Sequence, residues 1–292
     1  MFVISTEQNS ERQLLRLAAQ RQLYANAKAV FGWQVFISGP IAVASAVWVL
    51  MQPDMRGYVA AWGLLVTLAD LFWLTPWQKS LRTSAAKIQE AFDCDVLELK
   101  WNELKVGRVP DPELVKEKSR QYDRLALGMP SLENWYPTQV DELPLQVGRV
   151  VCQRANCWWD SNQRRKYAAW IIGVVVSVFI VIVAISMRGG VSVEELVFKA
   201  LLPLAPVLLL GTRQFMEQRE AADRLEKLKD HCGSIWKAAL EGKSKKNVTD
   251  MSRNLQDEIF DNRRKTPPVL DFVFARLRDN FEIQMNHASE HY

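Results

Sequence analysis

The chain has 292 residues, 24% of them charged, and its formal net charge is only +4. Its mean hydropathy is −0.11, an average that would suit a soluble protein. The four cysteines form no CxxC pair and the three histidines all lie in the last quarter, so the ligand spacing of zinc sites is absent. We therefore expect reduced cysteines, no metal site and no other cofactor. The small net charge gives no reason to expect a DNA or RNA polymer as a partner.

The averages hide a segregation of apolar from charged segments. Residues 1–30 are predicted to form a cytoplasmic amphipathic helix, because Leu14, Leu17 and Tyr24 fall on one apolar face. Two apolar segments follow within residues 31–77, joined by a short link. A bilayer core about 30 Å thick needs about 20 helical residues, and each segment is long enough. Residues 31–77 are therefore predicted to form a transmembrane hairpin.

The second half of the chain repeats this arrangement. Residues 78–166 carry charges throughout and are predicted to form a cytoplasmic helical domain, whereas residues 167–212 hold two further apolar segments and predict a second transmembrane hairpin. Residues 213–292 have apolar residues at helical spacing and predict a cytoplasmic helical tail. The alternative is a soluble protein with four buried helices, but the pairing of the segments by short links disfavours it. The predicted fold is an all-α membrane protein with four transmembrane helices.

The basic residues predict the orientation of these helices. Residues 1–30, 78–166 and 213–292 hold 4, 15 and 15 Lys and Arg residues, which is 34 of the 37 in the chain. Basic residues stay on the cytoplasmic side of a membrane. Both termini and the middle domain are therefore expected in the cytoplasm.

Asp70 is the candidate pore or gating residue. It lies about two-thirds of the way along the second apolar segment, where a carboxylate costs roughly 2.5–3.5 kcal/mol unless it faces protein or water. It could line a pore or respond to protons. The alternative is a residue near the membrane interface that is paired with Lys79 or Arg213.

Aromatic and basic residues concentrate in the middle domain, and a second basic cluster lies in the tail. Aromatic rings stack on nucleobases and arginine forks bind phosphates, so we consider a nucleotide site. Structural packing, or a belt beside the membrane, is the open alternative, and we assign Arg164, Arg165 and Lys166 to such a belt. The candidate ligand-binding residues are Trp101, Asn102, Asn134, Trp135, Tyr136, Arg154, Asn156, Arg263 and Arg264. No hydrolase, P-loop or metalloprotease motif is present, so we expect no catalytic residue and no enzyme activity.

Several strings in this order resemble one family. They are RQLYANAK (Arg21 to Lys28), IQEAFDCDVLELKWN (Ile88 to Asn102), NWYP (Asn134 to Pro137), CQRANCWWD (Cys152 to Asp160) and LQDEIFDNRRKTPPVLDFVF (Leu255 to Phe274). Together they resemble the SMODS-associated four-transmembrane effector family over nearly the whole chain.

The resemblance implies a role in bacterial antiphage defence. Such effectors are encoded beside nucleotidyltransferases that make cyclic di- or oligonucleotides on infection, in the systems called CBASS. The family is regarded as pore-forming. We therefore expect an effector of the bacterial inner membrane that binds a cyclic nucleotide, assembles as a homo-oligomer and disrupts the lipid bilayer. The alternative is a membrane sensor or scaffold without a pore, which recruits a cytoplasmic partner through its helical tail.

Overall fold

The computed structural model describes residues 3–41, 44–45, 48, 52–125, 132–188, 192, 194, 197 and 202–270. Every regular element within these residues is helical, which confirms the all-α class. The α-helices are α1 (Ile4–Gln8), α2 (Glu11–Phe36), α3 (Arg56–Ala69), α4 (Thr75–Val96), α5 (Glu103–Val106), α6 (Pro112–Leu125), α7 (Leu145–Arg188), α8 (Leu202–Leu240) and α9 (Lys245–Lys265). Short π-helices occupy Ile37–Ile41 and Asp70–Leu74, and short 3-10 helices occupy Pro53–Met55 and Thr138–Glu142. The predicted tail beyond residue 270 lies outside the described residues, as do parts of the first and fourth apolar segments.

The helices pack as two groups that α9 connects. In the first group, α2 lies against α4 and α6. In the second, α7 and α8 pack along much of their length and run antiparallel, because Arg164 contacts Gln218 whereas Val175 lies beside Gly211. Helix α9 packs on α4, α7 and α8 and so links the groups.

Two apolar clusters form the core around these contacts. One joins α1, α2, α4, α7 and the loop before α7, with Leu17, Phe92 and Tyr136 buried at its centre. The other joins α7, α8 and α9 through residues such as Leu225, Cys232 and Ile259. The four cysteines are free and buried, as expected for reduced thiols. Both clusters lie in the charged segments of the sequence, which therefore fold around ordinary apolar cores.

Several helices continue across the boundaries that the sequence predicts between cytoplasm and membrane. Helix α2 passes residue 30, α7 passes residue 166 and α8 passes residue 212. Residues 57–96 form one continuous helical segment that is made of α3, the π-helix Asp70–Leu74 and α4. The charged and apolar parts of the chain are therefore joined by continuous helices.

The apolar segments expose their side chains instead of packing them in the core. Helix α3 and the π-helix after it expose Tyr58, Trp62, Leu64, Leu65, Leu68, Leu71, Phe72 and Trp73. The second half of α7 exposes Trp170, Val174, Val176, Val178, Phe179, Ile180 and Val181. In the described part of the chain, the helix Gly57–Val96 is the one that is long and apolar enough to cross a membrane. Exposed apolar surfaces of this extent mark contact with another apolar phase or partner.

Candidate functional site

A cavity of about 430 Å³ lies between α2, α7 and the end of α9, within the predicted cytoplasmic part. The charged residues of its lining, in the part of the chain that the structure describes, are Arg21, Lys28, Asp160, Arg164 and Arg263. The aromatic residues of the lining are Tyr24, Tyr122, Trp135 and Trp159. Four basic side chains oppose one acidic side chain in the lining, and a surplus of positive charge remains when the buried Asp93 that pairs with Arg263 is counted, which favours an anionic ligand.

Helical spacing brings the polar lining residues together. Arg21, Tyr24 and Lys28 are three and four residues apart and so share one face of α2. Asn156 and Asp160 are four residues apart on α7, and they face the same cavity. Two long helices therefore supply most of a rigid, preformed wall.

Three residues form what we call the aromatic shelf: Arg21, Tyr122 and Trp135. The Trp135 ring is held edge-on by Phe92, with their ring centroids 6.3 Å apart. The Arg21 guanidinium carbon lies 5.6 Å from the Trp135 ring centroid, a cation–π contact, and Arg21 Nη1 donates to the Tyr122 hydroxyl at 3.5 Å. The guanidinium lies over the ring, and planar groups of both kinds are surfaces on which a nucleobase can stack.

Tyr24 adds a neutral polar group to the same wall. Burial raises the pKa of its hydroxyl to about 12. The phenol therefore stays protonated at physiological pH and can serve as a hydrogen-bond donor as well as an acceptor.

Arg164 is fixed in the wall by several partners. Its Nη1 donates to Gln218 Oε1 at 2.7 Å and to the Pro267 carbonyl at 2.9 Å, and its Nε lies 3.0 Å from an Asp160 carboxylate oxygen. These contacts tie α7 to α8 and to the segment after α9. Arg164 therefore acts as a structural junction beside the cavity.

Arg263 reaches the cavity from α9 and forms a buried ion pair with Asp93 of α4. Burial alone would lower the pKa of Arg263, but the Asp93 carboxylate outweighs it and holds that pKa above its ordinary value. Asp93 also accepts from the Tyr136 hydroxyl at 2.6 Å and from Gln256 Nε2 at 2.8 Å. The guanidinium is thus permanently charged at the cavity wall.

Three of the nine predicted ligand-binding residues line the cavity: Trp135, Asn156 and Arg263. Asn156 Nδ2 donates to the Tyr136 hydroxyl at 2.7 Å. Tyr136 itself is only 1% exposed, stacks on Phe92 and lies beneath the wall. The structure therefore brings one aromatic, one amide and one basic residue of the predicted set to one cavity.

Trp101 and Asn102 lie away from the cavity lining and have structural contacts. Trp101 Nε1 donates to the Gly107 carbonyl at 2.8 Å. The Asn102 side chain caps α5 by accepting from the Lys105 amide, and it donates to Asp257 at 2.7 Å. Their contacts are those of loop and helix-end residues.

The remaining three predicted residues are also outside the lining. Asn134 exchanges hydrogen bonds with Asn9, each of 2.9 Å, and has a left-handed φ of 53° that asparagine tolerates. Arg264 is partly exposed and bonds to Asp261 at 2.9 Å. Arg154 is half-buried on α7.

The sequence prediction overlooked the contribution of α2. Arg21 and Lys28 lie within the string RQLYANAK, where basic and aromatic residues share one face, but only the apolar face of that helix was considered. The assignment of Arg164 to a membrane belt was wrong, because its side chain is buried in the cavity wall. Arg21, Lys28 and Arg164 are all polar residues on the inner face of a helix, and composition alone does not reveal that position.

Asp70 joins the two segments of the first predicted hairpin. Gln34 Nε2 of α2 donates to Asp70 Oδ1 at 2.6 Å, and the Thr75 hydroxyl donates to Asp70 Oδ2 at 3.4 Å. Asp70 is the first residue of the π-helix Asp70–Leu74, and a second π-helix, Ile37–Ile41, follows Gln34. Such π-helical turns recur at functional sites in helices.

Nearly the whole chain matches one known family. Residues 3–292 match the SMODS-associating 4TM effector domain. The chain belongs to this family. The membership, together with the relative described next, supports a role for this effector in antiphage defence.

The effector also resembles a protein of Bacillus cereus (strain VD146) named "Probable CBASS effector molecule". The two are 25% identical over 228 residues, which cover 76% of each chain. No solved structure matches the effector. The family name indicates a membrane protein, in agreement with the exposed apolar side chains of α3 and α7.

Proposed function

We propose that this protein is an inner-membrane effector of antiphage defence that a cyclic di- or oligonucleotide activates by binding in the cavity. On activation, homo-oligomers of the effector form a pore and disrupt the membrane. The observation that carries this proposal is the cavity, which has the aromatic shelf and the basic residues Lys28, Arg164 and Arg263 in its lining.

The chemistry of the lining matches a cyclic nucleotide. Trp135 and Trp159 offer ring surfaces for bases, and a stacked base is worth about 1–3 kcal/mol. Arg21, Lys28 and Arg263 offer positive charge for phosphodiesters, for which the planar fork of arginine is well suited. A volume of about 430 Å³ lies within the usual range of small-ligand pockets, about 300–1,000 Å³.

The membrane part of the proposal rests on where apolar side chains are exposed. Helix α3 and the second half of α7 present aromatic and branched residues that stay exposed among the described residues. Four spanning segments, arranged as hairpins 31–77 and 167–212 with both termini in the cytoplasm, would bury these surfaces in lipid. The cavity would then lie in the cytoplasm, where the nucleotide is made.

A pore requires more than one subunit, because four helices are too few to enclose a wide channel. Asp70 is the candidate pore or gating residue within such an assembly. Its carboxylate links two membrane segments through Gln34, so a movement of either segment would alter its exposure to water.

The test is calorimetric titration of the purified effector in detergent with a panel of cyclic di- and trinucleotides of adenine, guanine and uracil. At least one should bind, and Trp135→Ala should weaken its binding about tenfold or more through the loss of one stacked base. Arg264→Ala is the matched control, because Arg264 neighbours Arg263 in sequence but lies outside the cavity lining. It should bind as the wild type does.

Two outcomes would contradict the proposal. One is that no member of the panel binds the wild type. The other is that Arg264→Ala weakens binding as much as Trp135→Ala does, which would place the ligand elsewhere. Nucleotide binding without any effect on a membrane would favour the sensor or scaffold alternative.

A further inference from the structure

Two buried ion pairs fasten α9 to α4. The carboxylates of Glu90 and Asp93 are fully buried and lie one turn apart on α4. Arg253 Nη2 lies 2.5 Å from Glu90 Oε1, and Arg263 pairs with Asp93. Gln256 donates to both carboxylates, at 2.9 Å and 2.8 Å. This pattern forms one polar seam between two helices.

The two ion pairs differ in their position relative to the cavity and in the partners of their arginines. Arg263 lines the cavity, whereas Arg253 does not. Arg253 is held by the additional partners Asp257, at 2.8 Å, and the Lys100 carbonyl, at 3.0 Å. An anion in the cavity can therefore reach the arginine of one pair but not that of the other.

The pair of Asp93 and Arg263 also joins a residue of the cavity lining to the helical segment that contains the apolar helix α3. Asp93 lies near the end of the continuous helical segment Gly57–Val96, whose first half is the exposed apolar α3. Arg263 is in the last turn of α9, and Thr266, Pro268 and Val269 beyond it form part of the cavity wall. A change at this pair would thus act on both the ligand site and the helix that leads into the membrane segment.

We propose that the Asp93–Arg263 ion pair couples the ligand site to the membrane helices: a ligand phosphate in the cavity competes with Asp93 for the Arg263 guanidinium, which loosens α9 from α4. The inference rests on the proposed function, since it assumes an anionic ligand in this cavity. Asp93 would stabilise the inactive packing and compete with the ligand for Arg263.

The electrostatics of the buried pair support competition. A phosphate that contacts Arg263 brings a second negative charge close to Asp93, and like charges in a poorly solvated site repel each other strongly. Asp93 keeps two neutral donors, Tyr136 and Gln256, so it can remain buried when its hold on Arg263 weakens. The ligand thereby favours a packing in which α9 and α4 are less tightly joined.

The decisive variant is Asp93→Asn, which has nearly the same shape and removes the competing charge. With a nucleotide that the wild type binds, its affinity should rise about tenfold, and liposomes that contain it should leak dye at correspondingly lower nucleotide concentration. Glu90→Gln is the matched control, since Glu90 is equally buried on the same seam but pairs with Arg253. Its nucleotide affinity should equal that of the wild type.

A second variant tests the same idea without removing Asp93. Arg263→Lys keeps a positive charge but lacks the planar fork that binds a phosphate through two N–H donors. It should retain a thermal midpoint near that of the wild type and bind the nucleotide about tenfold more weakly.

The results separate this inference from the proposed function. If the wild type binds a nucleotide in the cavity but Asp93→Asn and Glu90→Gln have equal affinity, the coupling role is wrong and the ligand site stands. An affinity of Arg263→Lys equal to that of the wild type would likewise overturn the coupling role. If the wild type binds no nucleotide, the proposed function itself fails.

Discussion

Replacing Tyr136 by Phe is the sharpest test of the buried network behind the cavity wall. The change keeps the ring that stacks on Phe92, with centroids 6.1 Å apart, and removes only the hydroxyl. That hydroxyl donates to Asp93 Oδ1 at 2.6 Å and accepts from Asn156 Nδ2 at 2.7 Å. A hydrogen bond to a charged group contributes about 1.5–3 kcal/mol and a neutral one about 0.5–1.5 kcal/mol.

Because Asp93 keeps Arg263 and Gln256, we expect Tyr136→Phe to lower the free energy of unfolding by about 2–3 kcal/mol. The assay is denaturant unfolding in detergent, followed by circular dichroism, with Tyr122→Phe as the control. The Tyr122 hydroxyl is 3.5 Å from Arg21 Nη1, so its loss should cost under about 0.5 kcal/mol. Unchanged stability of Tyr136→Phe, together with lost nucleotide binding, would refute this reasoning and support Tyr136 as a ligand contact.

Three further variants probe the packing, the buried charge and the membrane segment. A Cβ on Gly211 would lie 2.5 Å from Val175 Cγ2, so Gly211→Ala should lower the thermal midpoint by an amount equivalent to about 1–3 kcal/mol. Gly63→Ala is the control and should leave the thermal midpoint unchanged, because a Cβ there meets nothing within 4 Å. Burial raises the pKa of Glu90, and the stability that this group gives is therefore present below the ordinary value of 4.5 and lost as the pH rises through the raised value. The stability of the wild type relative to Glu90→Gln should accordingly increase as the pH falls from neutral towards 4.5, and a pH-independent difference would contradict it. Asp70→Asn should reduce nucleotide-induced ion leakage several-fold while leaving the fold intact, and equal leakage would exclude Asp70 from the pore.

Helical periodicity and charge segregation predicted much of the architecture. Helices within residues 1–30 and 213–292 were expected from apolar residues at helical spacing, and the structure has α2, α8 and α9 there. The role of the four apolar segments as membrane spans remains a prediction. Within the described residues, the length and the hydropathy of the helical segment Gly57–Val96 support it for one segment.

The lining of the cavity was predicted only in part, for a physical reason. Local composition shows where aromatic and basic residues concentrate, but not which of them find buried partners. Asn102, Trp135 and Tyr136 each have an aromatic neighbour in the sequence. Asn102 nevertheless caps a helix, and Tyr136 lies beneath the cavity wall. Arg21 shares a face of α2 with Tyr24 and Lys28, but the sequence does not show that this face packs towards α7 and the cavity.

The central claim is that nucleotide binding in the cavity opens the membrane. The most direct measurement is dye leakage from liposomes that contain the purified effector, with the cyclic nucleotide panel added, for the wild type and for Trp135→Ala. The proposal predicts leakage with one or more nucleotides in the wild type, and a shift to about tenfold higher nucleotide concentration in the variant. Nucleotide binding by the wild type without leakage under any condition would contradict it.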